Sequence, residues 1–220
     1  MPLQQSCPRS RAPRSDALRN AERIVAAAYA VFTTDGVDIA ADVALDDIAK
    51  AAGVGSATLY RHFANKDELI IAVLRAGFAE QVEPVLRHAL DTEPDGWTGL
   101  VTVLSAALRM ASELRAAIRG RIQPGPIDAG LLPVFFGQLA PILVKAQEQG
   151  SVRQDICPDD LPQLLSMLLG TIWFDGNDAG WRRYLTLLLD ALRPAVATEL
   201  PPLAATTNSD YSRMARADSE

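Results

Sequence analysis

The stretch LDDIAKAAGVGSATLYRHF, Leu45 to Phe63, admits few folds. Leu45, Ile48, Ala49 and Ala52 recur at helical spacing, so Leu45 to Ala52 reads as a short amphipathic helix. Gly53 follows at once, and glycine takes the positive φ at which many helices end without steric cost. A second short helix runs from about Ser56, with Leu59 and Phe63 four apart on its buried face. Two short helices joined by a tight glycine turn make a helix-turn-helix, whose second helix can enter the major groove of DNA.

The face opposite Leu59 and Phe63 carries Ser56, Ala57, Thr58, Tyr60, Arg61 and His62. Ser56 and Thr58 can donate or accept hydrogen bonds, and the methyl groups of Ala57 and Thr58 suit a thymine methyl. Tyr60, Arg61 and His62 are positioned to reach phosphates, contacts that set register without reading sequence. Asn65-Lys66-Asp67-Glu68 is an Asn-x-x-Glu capping pattern that predicts another helix. The first amides of that helix, with Lys66, offer a second phosphate site.

The stretch AGVGSATLYRHFANKDEL is similar to the recognition signature of the tetracycline-repressor (TetR) family of transcriptional regulators. In that family an Ala-Gly-Val turn precedes Thr-Leu-Tyr-x-His-Phe and then a Lys that opens the fourth helix. The matching positions are Ala52, Gly53, Val54, Thr58, Leu59, Tyr60, His62, Phe63 and Lys66, in the first third of the chain. The resemblance implies that Ser56 to Thr58 and Tyr60 face bases, while Thr58, Tyr60, His62 and Lys66 hold phosphates. It also implies a ligand-responsive regulator: a repressor that binds a palindromic double-stranded operator as a homodimer and leaves it on binding a small, largely apolar effector. Two positions depart from the pattern. Ala44 stands where Ser or Thr usually caps the second helix, at a cost of about 1 kcal/mol, and Gly55 stands where Ser is common, a few tenths worse.

The net charge of −6 argues at first sight against a DNA reader, so its distribution matters. Residues 1–75 hold nine Lys and Arg against nine Asp and Glu, and the remainder holds twelve against eighteen, which carries the whole deficit. Within the first 23 residues Arg9, Arg11, Arg14, Arg19 and Arg23 outweigh Asp16 and Glu22, beside the helix-turn-helix. Ala and Leu dominate over Val, Ile and Thr, which favours helices over sheets. Cys7 and Cys157 are lone and far apart, which fits a reducing cytoplasm rather than a disulfide framework or metal site. The start is basic without the apolar run of a secretory signal, and Leu164 to Phe174 is too short to span a bilayer.

These patterns predict an all-α chain of about nine helices. Residues 1–15 are expected to be a disordered basic arm and 16–76 a three-helix DNA-binding domain. A helical effector-binding and dimerisation domain follows over 77–200, then a disordered tail over 201–220. A first helix runs from about Asp16 to Thr34, with Ile24, Ala28, Val31 and Phe32 inward, and the loop carrying Asp38 and Asp42 follows. The helix from Lys66 continues towards Leu90 as the mechanical link between domains, kinked or offset at Pro84. Helices from Thr98 to Ile118 and Leu131 to Gln149 flank a loop or short broken helix at Arg119 to Gly130. Leu104, Leu108, Met110, Phe135, Phe136 and Trp173 could line an effector cavity or be plain core. Leu161 to Phe174 and Trp181 to Arg193 carry more leucine than one core stripe needs. Leu161, Leu165, Leu168, Leu185, Leu188 and Leu192 are thus expected at a four-helix homodimer interface, packing within one chain being the alternative.

Catalytic chemistry has little to stand on. The chain has two histidines, His62 and His88, and shows no phosphate-binding glycine loop after a strand, no metal-ligand spacing and no nucleophile elbow. Asp159-Asp160 reads as a helix-start charge pair rather than a catalytic dyad. No enzyme activity, cofactor, metal or membrane partner is expected. The rival from another class is a ligand- or partner-binding bundle whose DNA head no longer functions, supported by the acidic charge, Ala44 and Gly55.

Overall fold

The computed structural model describes residues 13–33, 43–115, 130–175, 180–194 and 198–201, with only the backbone of 13–15 and 173–175. Helix α1 (Pro13–Thr33) begins ahead of the expected start near Asp16, and proline suits a first helical turn because its missing N–H is needed by no partner there. Ile24, Ala28 and Phe32 are buried and Val31 is half-buried, the expected inward stripe. The stripe packs against α2 (Leu45–Ala51), α3 (Ser56–His62) and the first half of the next helix. Ile48, Leu59, Leu69 and Val73 complete this core, each 1% exposed or less.

The link, α4, is one rod over residues 66–91 in three segments: α-helix Lys66–Gly77, a π-helical turn Phe78–Val82, and α-helix Glu83–Asp91. The disturbance expected at Pro84 is therefore a widened turn just before it. Pro84 has no N–H for the carbonyl four residues earlier, and its ring crowds that carbonyl. The N–H of Glu83 instead reaches back five residues to the carbonyl of Phe78, which relieves the clash without breaking the rod.

The body comprises α5 (Gly96–Glu113), α6 (Leu131–Glu148), α7 (Leu161–Asp175) and α8 (Gly180–Ala191). Helix α5 is central, contacting α6, the second half of α4, α7 and α8. It is capped by Asp95, whose carboxylate accepts from the N–H groups of Trp97 and Thr98, both at 3.2 Å. Its first turn lies against α6 so closely that a Cβ on Gly96 would stand 2.5 Å from the Ala146 nitrogen. Pro133 and Pro141 both fall within α6, and Gly150, at φ +70°, follows its end. A 3₁₀ turn, Pro158–Asp160, precedes α7, and Asp160 accepts from the Cys157 N–H at 2.8 Å, so the acidic pair does start a helix. No strand occurs among the described residues, and none of their helices is long and apolar enough to cross a membrane. Residues 1–12 of the expected arm, the loop with Asp38 and Asp42, residues 119–129 and residues 202–220 of the expected tail lie outside the described residues, while 13–15 belong to α1.

Burial redistributes the leucines. Leu161, Leu165, Leu168, Leu185 and Leu192 are at most 5% exposed inside a single protomer, and Leu188 is half-buried. They pack between α7, α8 and α5, where the sequence placed an interface between copies. Among the described residues of the same two helices, the large apolar side chains left exposed are Met167, Tyr184 and Leu187.

Candidate nucleic-acid interface

The recognition turn is built by two reciprocal backbone bonds. The N–H of Gly53 reaches the Lys50 carbonyl, and the N–H of Val54 reaches that of Ala49, each at 3.0 Å. This is the glycine-ended helix stop known as the Schellman motif, and it needs the left-handed conformation that Gly53 adopts at φ +65°. A contact from far away in the chain closes it. Arg23, on α1, donates Nη2 to the carbonyls of Ala52 at 2.7 Å and Gly53 at 3.3 Å. A cation at the carbonyl end of α2 satisfies orphan acceptors and complements the helix dipole. Arg23 was counted among the positive charges of the first 23 residues; it is a staple of the turn. Arg19 is likewise paired, with Asp16.

Helix α3 leaves this turn with Leu59 fully buried and Phe63 9% exposed, so its other face is held outward. Ser56, Ala57 and Arg61 are exposed, Tyr60 is half open at 50%, and Thr58 is half-buried. His62 is less open than expected: it is half-buried against Phe63, and its Nε2 is buried without a hydrogen-bond partner in the protein. Gly55 caps α3 through its carbonyl alone, accepting from Thr58 N–H at 2.8 Å, and Ala44 caps α2 in the same way, without a side-chain bond.

At the start of α4 the capping pattern forms. Asn65 Oδ1 accepts from the Glu68 N–H at 2.9 Å, while Glu68 Oε2 accepts from the Ala64 N–H at 2.8 Å. Lys66 is half-buried and its Nζ donates to the Val43 carbonyl at 2.8 Å, tying the entry of α2 to the entry of α4. A phosphate arriving here would share Lys66 with that carbonyl.

The remaining expected residues sit away from this surface. Leu104, Leu108, Met110, Phe135 and Phe136 are all buried in the common core. Phe135 stacks edge-on with Phe78 of the π-turn, centroids 5.6 Å apart, and lies 5.1 Å from Phe136. The Trp173 side chain lies outside the described residues. Among the described residues, no group of three or more His, Cys, Asp and Glu could hold a metal ion.

A short helix presenting a polar face, fixed by a glycine stop and an arginine staple, defines a helix-turn-helix domain set on an all-helical body. Residues 24–73 match the model of bacterial regulatory proteins of the tetR family, so this segment is similar to the DNA-binding domain of that family. A helix-turn-helix-type transcriptional regulator of Staphylococcus aureus is 39% identical over 62 residues, which span 28% of this chain and only 32% of that one. Solved structures extend the likeness to the body. A TetR transcriptional regulator of Streptomyces coelicolor superposes with TM-score 0.55 at 29% identity, over 80% of this chain and 99% of that one. A TetR transcription regulatory protein of Mycobacterium vanbaalenii gives 0.53 at 27%, over 82% and 98%.

Proposed function

We propose that the chain is a ligand-responsive transcriptional regulator, a repressor that binds a palindromic operator as a homodimer and releases it when a small apolar effector enters the body. The observation that carries this reading is the outward face of α3, where Ser56, Ala57, Tyr60 and Arg61 stand open on a helix whose other side is locked by Leu59. Small residues at the helix start allow close backbone approach to base edges, and Tyr60, Arg61, His62 and Lys66 supply the phosphate contacts.

Two half-sites require two copies, and the exposed Met167 of α7 with Tyr184 and Leu187 of α8 offer apolar surface to join them. An effector taken up among Leu104, Leu108, Met110, Phe135 and Phe136 has to part α5 from α6. At Gly96 the first turn of α5 lies too close to α6 to admit a Cβ, so the separation is assigned to the far end of α5, next to the head. A coupling of about 1–3 kcal/mol between effector and DNA suffices.

A gel-shift titration against the duplex upstream of the chain's own gene tests the reading. A salt-sensitive, sequence-selective complex is expected, and its absence favours a bundle with an idle head. Lys66→Ala should weaken every duplex alike and lower the salt slope by about 1 per subunit. An unchanged slope removes Lys66 from the phosphate contacts.

A further inference from the structure

Head and body meet at a polar junction away from the recognition surface. Tyr29, on α1, donates its hydroxyl to Glu113 Oε2 at 3.0 Å, across 84 residues of chain. Gln81, inside the π-turn, donates Nε2 to the Tyr29 oxygen at 2.5 Å and to Glu113 Oε2 at 2.8 Å. The three side chains close a ring in which the phenol hydrogen and both amide hydrogens can each find an acceptor.

Packing holds the ring in place. A Cβ on Gly77 would lie 3.3 Å from Tyr29 Cε2 and 3.5 Å from Met110 Sδ, so the phenol sits against bare backbone beside a body residue. Phe78, the first residue of the π-turn, docks edge-on against Phe135 of α6. One widened turn of α4 thus touches the head through Gln81 and the body through both Gln81 and Phe78. A π-turn resets the register of the helix, aiming residues on either side of it at different neighbours, and such turns concentrate at functional positions. Burial, aided by the Glu113 hydrogen bond and charge, pushes the Tyr29 pKa up to about 12, so the phenol remains a donor at any physiological pH.

We propose that the Tyr29–Gln81–Glu113 ring is a latch that sets the angle of the head on the body, and that displacement of the α5 C-terminus reaches α3 by opening it. This rests on the reading of α3 as the DNA-contacting element. Helix α4 by itself is a single strap with an irregular turn in the middle. The ring adds a second strap through α1, and two attachments define an angle where one allows a swing. Two of the three bonds end on Glu113, so moving that one residue removes both together. Glu113 is exposed, so water can take over its bonds and the latch can open without stranding a buried charge.

The test uses the full chain, Tyr29→Phe, Glu113→Ala and the double variant, with hydrogen exchange in the absence of DNA and gel shifts on the upstream duplex. Tyr29→Phe keeps the ring packing on Gly77 and deletes only the hydroxyl. Amide exchange over 78–82 and the second half of α1 should rise about tenfold in each single variant, with α6 and α7 unchanged. Duplex affinity should fall about three- to tenfold through lost preorganisation, with the same salt slope because no phosphate contact is touched. The double variant should be no worse than the worse single, as members of one unit behave. Unchanged exchange over 78–82, a rise spread evenly through the chain, or additive losses would each overturn the latch. If the unaltered chain binds no duplex, the DNA reading fails, and the exchange result still decides the latch.

Discussion

At Ala44 the first turn of α2 lacks the side-chain oxygen that would close it. The residue has the extended backbone of a cap, φ −73° and ψ 147°, yet only its carbonyl is used, by the N–H groups of Asp47 and Ile48. Asp46 and Asp47 offset part of the loss by placing negative charge at the positive end of the helix. Ala44→Ser should therefore raise stability by about 1 kcal/mol, seen as a higher denaturant midpoint at unchanged slope. Tyr29 gives a second residue-scale prediction. Its pKa rises from an ordinary 10.0 to about 12 on folding, so its contribution is complete below pH 10 and is lost as pH rises through 12. The stability gap between the parent and Tyr29→Phe should accordingly narrow between pH 10 and 12 in thermal melts. A constant gap would deny the phenol its protonated role. Asp155 shows the opposite sign: the Arg153 hydrogen bonds hold its carboxyl well below the usual carboxylate range.

Among the elements, the helix ends were the most legible because their signals are local. Gly53 and Gly150 both end helices at positive φ, and Asn65 and Glu68 both make capping bonds at the entry of α4. Pro84 announced a disturbance but not its form. Whether a helix kinks or widens depends on what its neighbours hold fast, and here Phe78 is held by Phe135 while Val82 is fully buried. Helix spacing was also invisible beforehand. Gly96 lies where α5 and α6 touch backbone to backbone, whereas Gly137, inside α6, has nothing within 4 Å of its would-be Cβ. Gly96→Ala should destabilise by about 1–3 kcal/mol through overpacking. Gly137→Ala should instead stabilise by about 0.5–1 kcal/mol, since it only removes backbone freedom. Equal effects in a denaturant titration would contradict the close approach.

At the scale of the whole molecule, the proposed association and the folding of one protomer draw on different leucines. Leu165 is buried inside one protomer, while Leu187 is 55% exposed on the next helix. Leu187→Arg should keep the helical signal and shift sedimentation from dimer to monomer, because an exposed side chain adds little to the fold. Leu165→Arg should unfold the body, since a charge would be buried without a partner. Dimers that persist in Leu187→Arg would place the contact between copies elsewhere.

Residue order alone determined the all-helical architecture, the two short helices around Gly53 and the polar face of Ser56 to Arg61. Each depends on periodicity, capping and turn chemistry that act within a few residues. The tertiary structure decided which of two leucine faces is covered, that Arg23 closes the turn 29 residues away, and that Tyr29 meets Glu113 across 84. Those outcomes depend on how helices cross, and a crossing is set by the summed packing of many side chains, which no local pattern encodes.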